Sequence, residues 1–162
     1  MAKQNFSLEE LKNNYEILRK KYALPEFKQL NEEFDIEKVA ESETECLLRE
    51  IRKAIMDKAI AYLRFIEMLL NPTNAPLFFL ALIKGLSVDD RKILEKLYDK
   101  IGHFEIDVIE LDCQYSEEDE AGFIKKATKE WKIISDNMIK LVEVLRRNWN
   151  QKSKKDERGY CG

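Results

Sequence analysis

Apolar residues recur at alternating intervals of three and four positions through the last third of this chain. An α-helix is the regular structure that brings positions with this spacing onto one face, and three heptads of it are typical of helices that pack like a coiled coil. Residues 116–120, a serine followed by four acidic residues, precede the pattern and favour a helix start there. The apolar seam, as we call this stripe, consists of Ile124, Ala127, Trp131, Ile134, Met138, Leu141 and Leu145.

The same spacing predicts helices in the rest of the chain. The predicted helices are Leu8–Tyr22 after a Ser7/Glu10 capping box, a short helix after Pro25, a helix capped by Asp35, Cys46–Leu70, Leu77–Ile83, and a helix from Ser87 to about Tyr115. Only 5 glycines and 3 prolines interrupt 162 residues, which favours long helices over many strands. We predict an all-α, multi-helix bundle with long antiparallel helices and a C-terminal helical hairpin.

The length and the end of the chain indicate its domain organisation. A chain of 162 residues fits one domain, so residues 1–150 are predicted to form a single helical domain. Residues 151–162 are rich in lysine and poor in apolar side chains, and we interpret them as a disordered basic tail.

Cysteine usage and hydropathy indicate a cytoplasmic protein. The three cysteines are far apart and form no CxxC pair, which is typical of reduced thiols. The chain begins with a polar helix rather than a signal peptide. The apolar stretches Ala59–Leu70 and Ala75–Ile83 are each shorter than the ~18 residues that a membrane span needs, so no membrane association is expected.

The sequence predicts no catalytic, cofactor-binding or metal-ligating residues. It has one histidine, no Glu-x-x-His pair and no glycine-rich phosphate loop. Asp99 and Asp107 each lie one turn from His103, and we favour an ordinary surface pairing over acid–base chemistry. Asp57 and Glu67 fall in the most apolar helix, where we favour a thin polar edge over buried acids with raised pKa values. An enzyme is therefore the less favoured class.

Two segments resemble conserved hypothetical helical proteins from archaea. They are residues 15–36, YEILRKKYALPEFKQLNEEFDI, and residues 74–87, NAPLFFLALIKGLS. The resemblance implies a cytoplasmic prokaryotic protein and assigns no role to any residue.

Three functions fit these features, and the leading hypothesis is a non-enzymatic interaction or scaffold protein. It would form a homodimer or bind another protein, and the apolar seam is the candidate interface. The alternative is an accessory factor of the ribosome or another RNA–protein complex, contacting it through Arg146, Arg147, Lys152, Lys154, Lys155 and Arg158. The third is a small-ligand binder with a pocket around Tyr62, Phe65, Phe78 and Phe79.

Overall fold

A computed structural model describes residues 7–42 and 44–158, with side chains up to residue 155. Its helices are α1 (Leu8–Tyr22), α2 (Phe27–Phe34), a 3-10 helix (Ile36–Glu41), α3 (Leu47–Leu70), a 3-10 turn (Pro72–Asn74), α4 (Leu77–Ile83), α5 (Val88–Cys113) and α6 (Glu117–Arg158). No strand occurs within these described ranges, so the prediction of an all-α fold is confirmed. The apolar segment Leu77–Ile83 is a helix, as Pro76 and Gly85 around it indicate.

Serine side chains cap the helices where the sequence predicts them. The Ser7 hydroxyl accepts from the Glu10 N–H at 3.2 Å, and the Glu10 carboxylate accepts from the Ser7 N–H at 2.8 Å. Ser87 caps α5 in the same way. Asp35 precedes the 3-10 helix Ile36–Glu41 at the predicted N-cap position, but it does not cap that helix with its side chain. Asp35 ends α2 in the left-handed conformation, with φ 56°, and its side chain makes no capping hydrogen bond.

The chain divides into two compact units. Unit one comprises residues up to Ile60 together with His103–Trp131, and unit two comprises Ala61–Gly102 together with the residues from Lys132 onward. Helices α3, α5 and α6 each contribute residues to both units. The single domain over residues 1–150 stays a prediction.

In unit one, α1 and α2 contact the first part of α6 through the pairs Tyr22–Glu117 and Phe34–Trp131, and α2 contacts α3 through Lys58, while α5 and α6 pack against each other. The Phe104 and Phe123 rings lie 5.8 Å apart, and Lys126 Nζ lies 2.7 Å from the Asp107 carboxylate. Arg52 reaches both Asp112 and Glu120, which flank the short link at residues 114–116, and the Asp107–Lys126 pair lies farther from the link along both helices. The two helices are therefore antiparallel, and the predicted C-terminal hairpin is confirmed.

Helix α6 continues beyond the predicted end of the folded chain. Residues 151–158 belong to this helix, so the prediction of a disordered tail is wrong for them. Residues 159–162 lie outside the described part of the chain. The last turns contain no glycine or proline, and their cations are favoured at a helix C-terminus, which explains why a highly charged segment remains helical.

Candidate interaction surface

The apolar seam lies in the interior of the chain. All seven of its side chains are buried, with exposed fractions between 0 and 7%. The Trp131 ring, for example, lies 4.9 Å from the Phe34 ring in unit one. The prediction that the seam is an interface is therefore corrected: these side chains are already covered by other parts of the same chain.

Helix α4 in unit two shows the opposite pattern, because all of its residues are apolar and three of the seven are exposed. Leu77 is 82% exposed and Phe78 is 47% exposed, whereas only Leu82 among the seven residues is buried. A helix of two turns buries one face, and here the remaining faces are apolar as well. Clustered exposed apolar side chains of this kind mark interaction sites more often than single ones do.

A groove of about 810 Å³ separates α4 from the last turns of α6. We call it the docking groove. Three lysines and no acidic residue contribute to its walls. Its lining consists of Leu77, Leu80, Ala81, Ile83, Lys84, Gly85, Asn148, Gln151, Lys152 and Lys155. The groove thus combines an apolar wall from α4 with positive charge from α6 and from the end of α4.

Specific contacts hold α4 against α6. The Asn148 amide donates to the Leu82 carbonyl at 3.3 Å, and the Phe78 and Trp149 rings lie 4.9 Å apart. Lys152 Nζ lies 5.3 Å from the centre of the Trp149 ring, where cation–π attraction favours it. These contacts fix the apolar wall of the groove next to its lysines.

Gly85 allows the loop after α4 to approach α6. A Cβ atom built at this position would lie 2.3 Å from Cγ of Asn148.

Gly85→Ala would therefore displace the Asn148 amide and remove its hydrogen bond to Leu82. We expect a loss of about 1–2 kcal/mol in the free energy of unfolding, measured by urea denaturation. Gly102→Ala is the matched control, because no atom lies within 4 Å of a Cβ there, and it should gain roughly 0.5–1 kcal/mol. Equal effects of the two substitutions would contradict this account.

The basic residues predicted to contact an RNA–protein complex divide between two faces of α6. Lys152 and Lys155 line the docking groove. Arg146, Arg147 and Lys154 are exposed on another face, around a separate depression that includes Glu143. The side chain of Arg158 lies outside the described residues. The structure therefore brings two of the six residues to the groove and adds Lys84, which the sequence analysis did not single out.

The four residues predicted to form a ligand pocket do not line the groove. The Phe65 and Phe79 rings are 5.7 Å apart and the Phe78 and Phe79 rings are 5.5 Å apart, so the aromatic side chains pack against one another.

The carboxylates singled out from the sequence lie at the surface or in an ion pair. Asp57 and Glu67 are exposed, as a polar helix edge requires, and Asp107 pairs with Lys126.

Unit one contains a buried ion pair that was not predicted from the sequence. Arg52 is 2% exposed and Glu120 is fully buried, and Arg52 Nε lies 2.8 Å from Glu120 Oε2. Arg52 also donates to the Asp112 carboxylate at 2.7 Å.

Burial raises the pKa of the Glu120 carboxyl, although the guanidinium groups of Arg52 and Arg49 lower it. Glu120 lies four residues before Ile124 and extends the apolar seam by one turn, which was the available signal. Because the two charges are enclosed and face each other, we interpret the pair as structural.

The described part of the chain holds neither a candidate metal site nor a candidate membrane span. Within the described residues, no three His, Cys, Asp or Glu side chains are grouped so that they would hold a metal ion. In the same part of the chain, no helix has an apolar stretch long enough to cross a membrane. No protein-family model, curated protein or solved structure matches this chain.

Proposed function

We propose that this chain is a non-enzymatic interaction protein that binds an acidic amphipathic helix in its docking groove. The observation that carries the proposal is the exposed apolar wall of α4 beside three lysines with no acidic residue in the lining. A cytoplasmic location is part of the proposal, and the free thiols of Cys46 and Cys113 support it.

The dimensions of the groove favour a helix as the ligand. Seven residues of α4 span about 11 Å at 1.5 Å per residue, which corresponds to two helical turns of a ligand. Helix-in-groove recognition uses apolar anchors at positions i, i+3 and i+4. Such anchors would cover Leu77, Leu80 and Ile83, and carboxylates beside them would lie near the lysines of the rim.

A nucleic-acid ligand fits this surface less well. Phosphates would pair with Lys152 and Lys155, but they would leave the Leu77 side chain in water. Arg146, Arg147 and Lys154 lie on another face of α6, so the cations do not form one continuous track for a backbone. A role in an RNA–protein complex is the second candidate, and the exposed Trp149 beside Lys152 is the observation that favours it.

Fluorescence anisotropy tests the proposal with a labelled acidic helical peptide that carries leucines at positions i, i+3, i+4 and i+7. We expect Lys155→Glu to weaken binding about tenfold, the equivalent of 1.4 kcal/mol. Lys154→Glu is the matched control, because it changes the charge equally at the next residue but does not line the groove.

Two outcomes would contradict the proposal. One is equal weakening by both lysine variants, which would indicate general charge attraction. The other is tighter binding of a single-stranded RNA oligonucleotide than of the peptide, which would favour the second candidate.

A further inference from the structure

A second surface, on α5 in unit one, has the chemistry that the docking groove requires. Ile106 and Ile109 are 62% and 63% exposed, although both belong to a helix that buries Phe104 and Leu111. Cys113 is exposed four residues later, so the three side chains recur at three and four positions along one face. Exposed acidic side chains flank them. We call this surface the acidic stripe, and it consists of Glu105, Ile106, Ile109, Glu110, Asp112 and Cys113.

The acidic stripe matches the docking groove in length and in charge. Residues 106–113 span about 12 Å of helix, close to the length of about 11 Å of α4. The stripe has an apolar centre with carboxylates on both sides, and the groove has an apolar wall with lysines at its rim. Opposite charges around apolar contacts fix the register of two surfaces and exclude like-charged partners.

We propose that the acidic helix bound in the docking groove is the acidic stripe of a second copy of this chain. The inference rests on the proposed function and names its partner. Two grooves facing each other would oppose three lysines with three lysines, and two stripes would oppose carboxylates with carboxylates. The contact therefore joins unlike surfaces, groove to stripe, which is a heterologous contact.

Each surface is short, so the contact belongs with the small interfaces of transient complexes. We expect the sedimentation coefficient to rise with protein concentration in the range on the order of 100 μM at low salt. The rise should be lost above about 0.5 M NaCl, where exposed charges are screened.

Charge reversal of each surface tests the contact. The groove variant Lys152→Glu/Lys155→Glu and the stripe variant Glu105→Lys/Glu110→Lys should each sediment as a monomer at all concentrations. An equimolar mixture of the two variants should associate again, because the intact groove of one meets the intact stripe of the other. Lys154→Glu and Glu95→Lys, which are exposed and lie outside both surfaces, are the matched controls and should associate like the unmodified chain.

Circular dichroism melting of each variant separates loss of contact from loss of fold. Failure of the mixture to associate, with both variants folded, would overturn the inference. A monomeric unmodified chain that still binds the acidic peptide would also overturn it, while leaving the proposed function intact. If the peptide also fails to bind, the proposed function is contradicted as well.

Discussion

Arg52→Met lowers the free energy of unfolding by about 3–5 kcal/mol, because it leaves the fully buried Glu120 carboxylate without its closest cation. Urea denaturation at neutral pH measures this loss. The matched control is Lys53→Met, since Lys53 is the next residue, its side chain is 57% exposed and its ion pair with Glu50 is at the surface. The control should change the free energy by less than about 0.5 kcal/mol.

The double variant Arg52→Met/Glu120→Leu should recover most of this loss. The raised pKa of Glu120 means that burial disfavours its carboxylate more than the nearby guanidinium groups stabilise it. Apolar replacement of both partners removes that cost. A double variant that is less stable than Arg52→Met would contradict the interpretation of the pair.

The loss in Arg52→Met should also depend on pH. A carboxyl group whose pKa is raised in the folded state favours folding below its unfolded pKa, and this contribution disappears as the pH rises through the folded pKa. Removal of Arg52 takes away a group that lowers the pKa of Glu120. The difference in the free energy of unfolding between Arg52→Met and the unmodified chain should therefore shrink as the pH falls from 7 towards 5. A difference that grows over this range would contradict the prediction.

Trp131→Ala should lower the free energy of unfolding by about 3–5 kcal/mol, because its ring is 2% exposed and packs on Phe34. If the apolar seam is core, this loss will not depend on protein concentration. Trp149→Ala is the control within the same helix. Its ring is 39% exposed, and we expect a loss of less than about 1.5 kcal/mol. A seam that served as an interface would instead leave the stability of the monomer unchanged and shift its association.

The spacing of apolar residues predicted where the helices lie, but it did not predict what covers each of them. The interval of three and four residues predicts one apolar face of α6, but it does not predict whether the same chain or another chain covers that face. Helix α4 shows the converse limit. Its composition favours burial, yet a helix of seven residues has too few neighbours to cover every side, and only the three-dimensional path of the chain decides which side chains remain exposed.

The sequence also did not predict which side chains from distant parts of the chain lie next to each other. Arginine and glutamate are rarely buried alone, so neither Arg52 nor Glu120 is expected in a core until the other is placed beside it. The docking groove depends on the same kind of information, because Lys84 and Lys152 come together only once α4 has packed on α6.

Methyl NMR of the leucine-labelled chain, titrated with the acidic helical peptide, reports which surface the peptide contacts. We expect the methyl signals of Leu77 and Leu80 to shift with increasing peptide and those of Leu141 and Leu145 in the buried seam to stay in place. Shifts at the seam without shifts at Leu77 and Leu80 would show that the ligand opens the core instead, and the docking groove would then not be the binding surface.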